Sequence, residues 1–287
     1  NVMIGSDAGR ENTSRGYNTF VGDNAGGSST TGSSNTYIGS FSSIFNKTGN
    51  YIVSLGTLAG YGNRSGSRNT VVGAYAETND STGIGNTAIG YAALSYNTKN
   101  HLVAVGDSSL FYNSYYTTLP HEGTKNTAIG SQTMVQNTSG YSNTALGFKS
   151  MRNNQLGYQN AALGTNALAQ NILGNQNVAI GDSASWNSMG SFNTAVGQFA
   201  LVSNSTQNNN TAIGWHADVQ PGTTVFNATA IGSNAKIAAS NGMAFGSTSI
   251  ETWSFGRTFN DPAKAIQVGS SAINGNGAYL SAGGTWT

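Results

Sequence analysis

The pentapeptide Asn-Thr-Ala-Ile-Gly at 126–130 returns as Asn-Thr-Ala-Leu-Gly at 143–147, seventeen residues later. Related pentapeptides close on Gly5, Gly22, Gly39, Gly56, Gly73, Gly90, Gly106, Gly130, Gly147, Gly164, Gly181, Gly197, Gly214, Gly232 and Gly246. The intervals are 17 five times, then 16, 24, 17 three times, 16, 17, 18 and 14. A near-constant period of this length restricts the fold more than any other feature of the chain. Each repeat is one structural unit, too small to bury a core alone, that stacks on its neighbours.

The columns of the aligned repeat describe one coil. The residue before each anchor glycine is always large and apolar, from Ile4 and Val21 to Ile213, Ile231 and Phe245. Two residues earlier stands a Thr or Val in most rungs, the alternation of a strand. The third residue after the anchor is small, as in Ala93, Ala167 and Ala200. Glycine at the anchor predicts a positive φ or a close backbone approach. Asn recurs four residues before the anchor in eleven of fifteen rungs. A second Asn column follows the anchor by seven residues, at Asn46, Asn63, Asn97, Asn137, Asn154, Asn171 and Asn204. Stacked Asn side chains are expected to bond from rung to rung. Two short strands and two polar corners fill the seventeen residues, which predicts an all-β parallel solenoid. Fourteen steps of about 4.8 Å give roughly 67 Å of solenoid.

Two columns exchange volume. Two residues before the anchor, Met3, Phe20 and Tyr37 give way to alanine in all ten rungs from Ala88 to Ala244. Four residues after it, Gly9, Gly26 and Ser43 give way to Leu94, Leu110, Met134, Met151, Leu168 and Leu201. Ser54 with Gly60 departs from the trend. Compensation of this kind places both columns in one buried space. With the large aliphatic column taken as the coil's interior, the Ala and Leu/Met columns are expected to face other chains.

Composition removes several functions. Charged residues are 8% of the chain, against roughly 25% in ordinary soluble proteins. A net charge of +1 supplies no field for nucleic acid. No apolar run approaches the roughly 20 residues that span a bilayer. Without cysteine there is neither a disulfide scaffold nor a thiolate metal site. Asn1 lies inside a repeat, so the chain reads as a piece of a longer protein, and a missing signal peptide carries no information. The histidines His101, His121 and His216 have no metal-ligand spacing, and no metal or cofactor is implied. Asp7, Asp23, Asp107 and Asp182 fall near anchors, as corner residues do. The apolar-Gly signal occurs once per coil, unlike hexapeptide acyltransferases, and the Gly-Gly-x-Gly-x-Asp pattern of calcium rolls is absent. Ice recognition is weighed because Thr19, Thr36, Thr70, Thr87, Thr127, Thr144, Thr194 and Thr211 form a column. It ranks behind adhesion, since the column is single and shares its strand face with the Ile/Val residues taken as buried.

Asn-Thr-Ala-Ile-Gly at 126–130, Asn-Val-Ala-Ile-Gly at 177–181 and Asn-Thr-Ala-Val-Gly at 193–197 resemble the head repeats of trimeric autotransporter adhesins. The 14-residue step from Gly232 to Gly246 is that family's spacing, whereas 17 is closer to phage tail fibres and other trimeric surface fibres. Mosaic adhesive trimers of predatory bacteria share the plan. The resemblance covers residues 1–250 and implies a homotrimer of left-handed parallel β-rolls, intertwined or side by side. The ending Asp-Pro-Ala-Lys-Ala-Ile-Gln through Thr287 (261–287) resembles the segment upstream of an endosialidase-type intramolecular chaperone, which trimerises a fibre and cuts itself off. On that resemblance Thr287 lies near a cleavage point. The expected organisation is a β-roll over 1–250, with an insertion near 107–125, and a transition segment over 251–287.

The stretched interval holds Phe111, Tyr112, Tyr115, Tyr116, Pro120, His121 and Glu122. A loop projecting from a rigid scaffold is a usual seat of recognition. Aromatic faces stack on sugar rings, while hydroxyls and a carboxylate bond the sugar's own hydroxyls. Equally, these aromatics could pack down and seal the bulge. Trp215, His216 and Phe148 follow anchors and form a second aromatic candidate, with Trp186, Phe199 and Trp253 behind them. The expected function is adhesion by a non-enzymatic, extracellular trimeric fibre, on a cell or virion surface, to a surface glycan or other receptor. The alternatives are a structural shaft presenting a tip elsewhere and a tailspike-like glycan hydrolase.

Overall fold

The computed structural model describes residues 1–13, 16–115 and 122–247. Tyr116, Pro120, His121, Trp253 and the 251–287 segment lie outside the described residues. The described chain is a parallel β-solenoid with no helix. Fifteen three-residue strands, from β1 (Val2–Ile4) to β17 (Met243–Phe245), form one parallel sheet in chain order. Like pairs with like: Thr127 with Thr144, Ala128 with Ala145 and Ile129 with Leu146. The insertion leaves this register intact. β7 (Val103–Val105) pairs with β8 (Thr127–Ile129) through Val103 and Thr127, as if the extra residues were absent.

The expected second strand of each coil is replaced in most rungs by a turn ribbon. Residues two and four after the anchor carry left-handed backbone, as in Ala92 (φ 52°), Leu94 (φ 53°), Lys149 (φ 57°) and Met151 (φ 48°). Such angles disfavour non-glycine residues. They persist because each one turns an N–H onto the neighbouring rung: Leu94 donates to the Ser109 carbonyl at 3.0 Å and Met151 to that of Ala167 at 2.9 Å. A second strand pair forms only near the end of the described solenoid, between β14 (Asp218–Val219) and β16 (Lys236–Ile237).

The inside and outside of the strand are the reverse of the expectation. The middle residue of the strand points inward, and Ala88, Ala104, Ala128, Ala145, Ala179 and Ala195 are fully buried. The large aliphatic column points outward: Ile129 is 39% exposed and Leu163 47%. The shared buried space exists, but within one chain. Leu94, Leu110, Met134, Met151 and Leu168 come from the turn ribbon and meet the strand alanines in a single core. The coil is thin, so bulk enters from one wall only. Where the strand supplies Phe20 and Tyr37, stacked at 4.7 Å, the ribbon residue facing both rings is Gly26. A Cβ on Gly26 would lie 2.9 Å from the Tyr37 ring. At the departing rung, Ser43 and Ser54 fill the slot with a mutual 2.8 Å hydrogen bond.

Both Asn columns are buried ladders with different wiring. In the first, Oδ1 accepts the backbone N–H of the next rung, as from Asn160 to Asn143 (2.9 Å) and Asn177 to Asn160 (2.9 Å). Nδ2 donates to a carbonyl of the facing corner, Gly174 for Asn160 at 2.8 Å. The second is a side-chain chain in which Asn171 donates to Asn154 (3.0 Å), Asn154 to Asn137 (2.7 Å), Asn137 to Asn113 (2.7 Å) and Asn113 to Asn97 (3.1 Å). Asn113, inside the stretched interval, keeps the column unbroken.

The anchor glycines meet both requirements read from the sequence. Gly147 has φ +127°, and a Cβ there would sit 2.5 Å from the Gly164 carbonyl oxygen. Gly147→Ala is therefore expected to cost roughly 1–3 kcal/mol and to lower the thermal midpoint. Ser131→Ala, one residue past the preceding anchor, should leave it nearly unchanged in the same scan.

Candidate functional site

The turn ribbon carries the solenoid's aromatic surface. In most rungs its second and fifth residues after the anchor are at least partly exposed, while the third and fourth fill the core. In the stretched interval Phe111 and Tyr112 occupy positions five and six, and Tyr115 follows at 48% exposure. All three gather around Tyr96, from the rung before, which the sequence reading did not single out. Tyr96 lies 5.2 Å from Phe111, 5.5 Å from Tyr112 and 5.2 Å from Tyr115, measured between ring centroids. Phe111 and Tyr112 meet edge to face at 4.6 Å. Tyr96 was legible only through the period: it is the sixth residue after Gly90, as Tyr112 is after Gly106. Glu122 is half-buried. Tyr116 and His121 fall outside the described residues.

The second candidate stands apart from this cluster. Trp215 is 48% exposed and meets His216 edge to face at 4.8 Å, while His216 reaches the Phe199 ring at 5.1 Å. Six rung spacings separate it from the Gly106 rung, about 29 Å at ~4.8 Å each. The intervening surface is grooved. A cavity of 470 Å³ has Lys149, Arg152, Gln170, Trp186 and Phe199 in its wall. A second, of 260 Å³, has Phe111, Tyr112, Gln132 and Arg152. Arg152 belongs to both. Trp186 and Phe199, the weaker aromatic candidates, thus share one groove, and Phe148 lies beneath the Lys149 ammonium at 4.7 Å.

Carboxylates are arranged differently. Glu77 and Asp80 form a pair, but both are sealed inside the coil, where neighbouring rungs carry Leu94 and Asn97. Asn86 donates to Glu77 Oε1 at 2.9 Å and to Asp80 Oδ2 at 3.0 Å, and the Gly83 N–H donates to Asp80 Oδ1 at 2.7 Å. Burial pushes the Glu77 carboxyl well above the usual range, and the Asp80 charge beside it adds to the rise. Burial also raises Asp80, against the opposing pull of the Gly83 N–H. Asp218 is raised by burial too, and Lys236, 3.5 Å away, acts against that. In this conformation the Glu77–Asp80 pair does not reach a glycosidic bond. Asp7, Asp23 and Asp107 lie exposed at corners, as expected of corner residues. Among the described residues no group of three His, Cys, Asp or Glu could hold a metal ion.

The Thr column points outward beside the exposed Ile/Val/Leu column. The premise that set ice recognition aside, buried Ile/Val on that face, is therefore overturned. No protein-family model matches the chain, and no curated protein matches it.

Proposed function

We propose that the chain is a segment of a homotrimeric, extracellular fibre, on a cell or virion surface, that attaches to a surface glycan. The single observation that carries this reading is the outward face of the sheet. Its two columns, Thr or Val and then Ile, Val or Leu, contain no charged residue in any of fifteen rungs. At roughly 67 Å by about 10 Å the stripe is on the order of 700 Å². About half of it is the Thr-rich column, so the apolar share of roughly 350 Å² is of the size that on a monomer is often functional. The whole uncharged stripe approaches the roughly 800 Å² per partner of a stable interface. Copies of the same chain cover it most economically, since cyclic symmetry sets identical stripes around one axis. A left-handed roll and a chaperone downstream of 261–287 belong to the same proposal, resting on the resemblance of the repeats. The aromatic groove is the attachment surface, and three copies of a weak site raise avidity.

A glycan array probed with the assembled chain tests attachment. Wild type is expected to retain a subset of glycans, and Tyr115→Ala to lose signal with its melting temperature nearly unchanged. A blank array would favour the plain shaft, and unfolding of Tyr115→Ala would make the cluster a seal. One observation favours a second reading, recognition of ice: Thr127 pairs in register with Thr144, and Thr194 with Thr211, on one parallel sheet. The row is single, and Val53, Val103, Ala161 and Val178 interrupt it. Thermal hysteresis by the chain would support ice; its absence leaves the stripe to self-association.

A further inference from the structure

The groove between the two aromatic patches has an electrostatic character that adhesion alone does not require. From Gly106 to Ala217 the charged side chains are Asp107, Glu122, Lys125, Lys149, Arg152 and Asp182, in a chain with only 12 Lys and Arg. Two of these cations, Lys149 and Arg152, stand in the 470 Å³ cavity, and no carboxylate stands in the wall of either cavity. Two carboxylates are bonded to serines of the cavity walls: Asp182 accepts from Ser183 Oγ at 3.2 Å and Gln198 Nε2 at 3.3 Å, and Asp107 accepts from Ser108 Oγ at 2.9 Å. Among the described residues neither Lys149 nor Arg152 forms an ion pair. Arg152 Nε is enclosed and has no hydrogen-bond acceptor. Arg152 lines both cavities without a carboxylate partner among the described residues, which leaves a demand for an anion that can enter them.

The rungs give that demand a direction. The two cavities, joined at Arg152, span five rung spacings from Gly106 to Gly197, about 24 Å along the axis. Phe111 and Tyr112 stand at one end, Trp186 and Phe199 at the other, and the two cations lie between them. Flat aromatic faces at both ends suit sugar rings, and bidentate Arg suits a carboxylate or sulfate. Two cations are too few for the phosphate-by-phosphate neutralisation that nucleic acid demands. We infer that the groove binds a linear anionic polysaccharide, whose carboxylate or sulfate groups meet Arg152 and Lys149 while its rings lie against Trp186 and the Phe111–Tyr112 edge. This inference rests on the glycan-attachment reading and names the class of glycan.

Titration calorimetry on the full chain tests it with three probes: tetragalacturonate, its fully methyl-esterified counterpart, and a heparin tetrasaccharide. The expected result is binding of at least one anionic probe. Esterification should weaken the galacturonate by about tenfold or more. The double variant Lys149→Gln/Arg152→Gln should lose a similar factor for the anionic probe while keeping wild-type sedimentation and melting. Trp186→Ala should weaken charged and esterified forms alike. A preference for the heparin tetrasaccharide, lost in the double variant, assigns the anion as sulfate and supports the inference. Equal binding of acid and ester, or an unaffected double variant, overturns it and leaves the adhesion reading standing on its array signal. No binding of either anionic probe overturns it whatever the array shows, and a blank array alongside removes the adhesion reading too.

Discussion

Arginine at Ala145 is expected to abolish folding of the chain, whereas arginine at Ile129 is expected to leave the coil folded and to dissolve the proposed assembly. The two positions are in adjacent rungs of the same sheet, yet they face opposite ways. Ala145 is fully buried among alanines and the Leu/Met side chains of the turn ribbon. An unpaired guanidinium there is beyond the several kcal/mol that such a domain can lose. Ile129 is 39% exposed in the single chain. A charge there costs the coil little, but it falls in the middle of the stripe that copies are proposed to share. Far-ultraviolet circular dichroism separates the outcomes. Loss of β signal is expected for Ala145→Arg and Ala179→Arg, and a retained signal at lower mass for Ile129→Arg. The reverse pattern would return the alanine column to the interface.

A second large effect is expected at the buried carboxyl pair. Glu77 stands between Gly60 and Leu94, where the Leu/Met column begins, and Asp80 interrupts the Asn ladder, where Asn97 donates to its Oδ2 at 2.9 Å. Burial raises both carboxyls, so the folded chain holds protons that the unfolded chain releases. The pair's contribution to stability is therefore complete below the ordinary carboxylate range, about pH 4, and is lost as pH rises through the raised folded values. Two charges sealed together at alkaline pH should cost on the order of 3–5 kcal/mol. The thermal midpoint of wild type should fall steadily from pH 5 to pH 9. Glu77→Leu extends the column by one rung and leaves Asp80 as the one buried carboxyl of the pair, so its midpoint should be higher at pH 8 and fall less across the range. A wild-type midpoint as high at pH 9 as at pH 5 would contradict this account.

What the sequence disclosed depended on whether a feature was periodic. The anchors, the unbroken register, both Asn ladders and the shared core of the alanine and Leu/Met columns were all legible as columns. The direction of the strand was not. Alternation over Thr-Ala-Ile says which residues share a face and leaves open which face is inner. Size suggested Ile, but a coil this thin takes bulk from one wall, and Leu94 or Met151 already provides it. The volume exchange between Ala and Leu/Met was the correct clue, and its proper reading was a core within one chain. In sequence the turn ribbon reads as a strand, because its Leu and Met look like strand residues. Their left-handed backbone is held by bonds between rungs that no local pattern records. At the site, Phe111, Tyr112 and Tyr115 stood out as a departure from the repeat. Tyr96, Lys149 and Arg152 did not, since their neighbours lie one or more rungs away.

The central claim is that the uncharged Thr/Ile face is covered by copies of the chain. Sedimentation equilibrium tests it most directly. One chain weighs 29.5 kDa, and a single species of three times that mass is expected, reduced to one chain by Ile129→Arg. A wild-type chain that sediments as a folded monomer would contradict it.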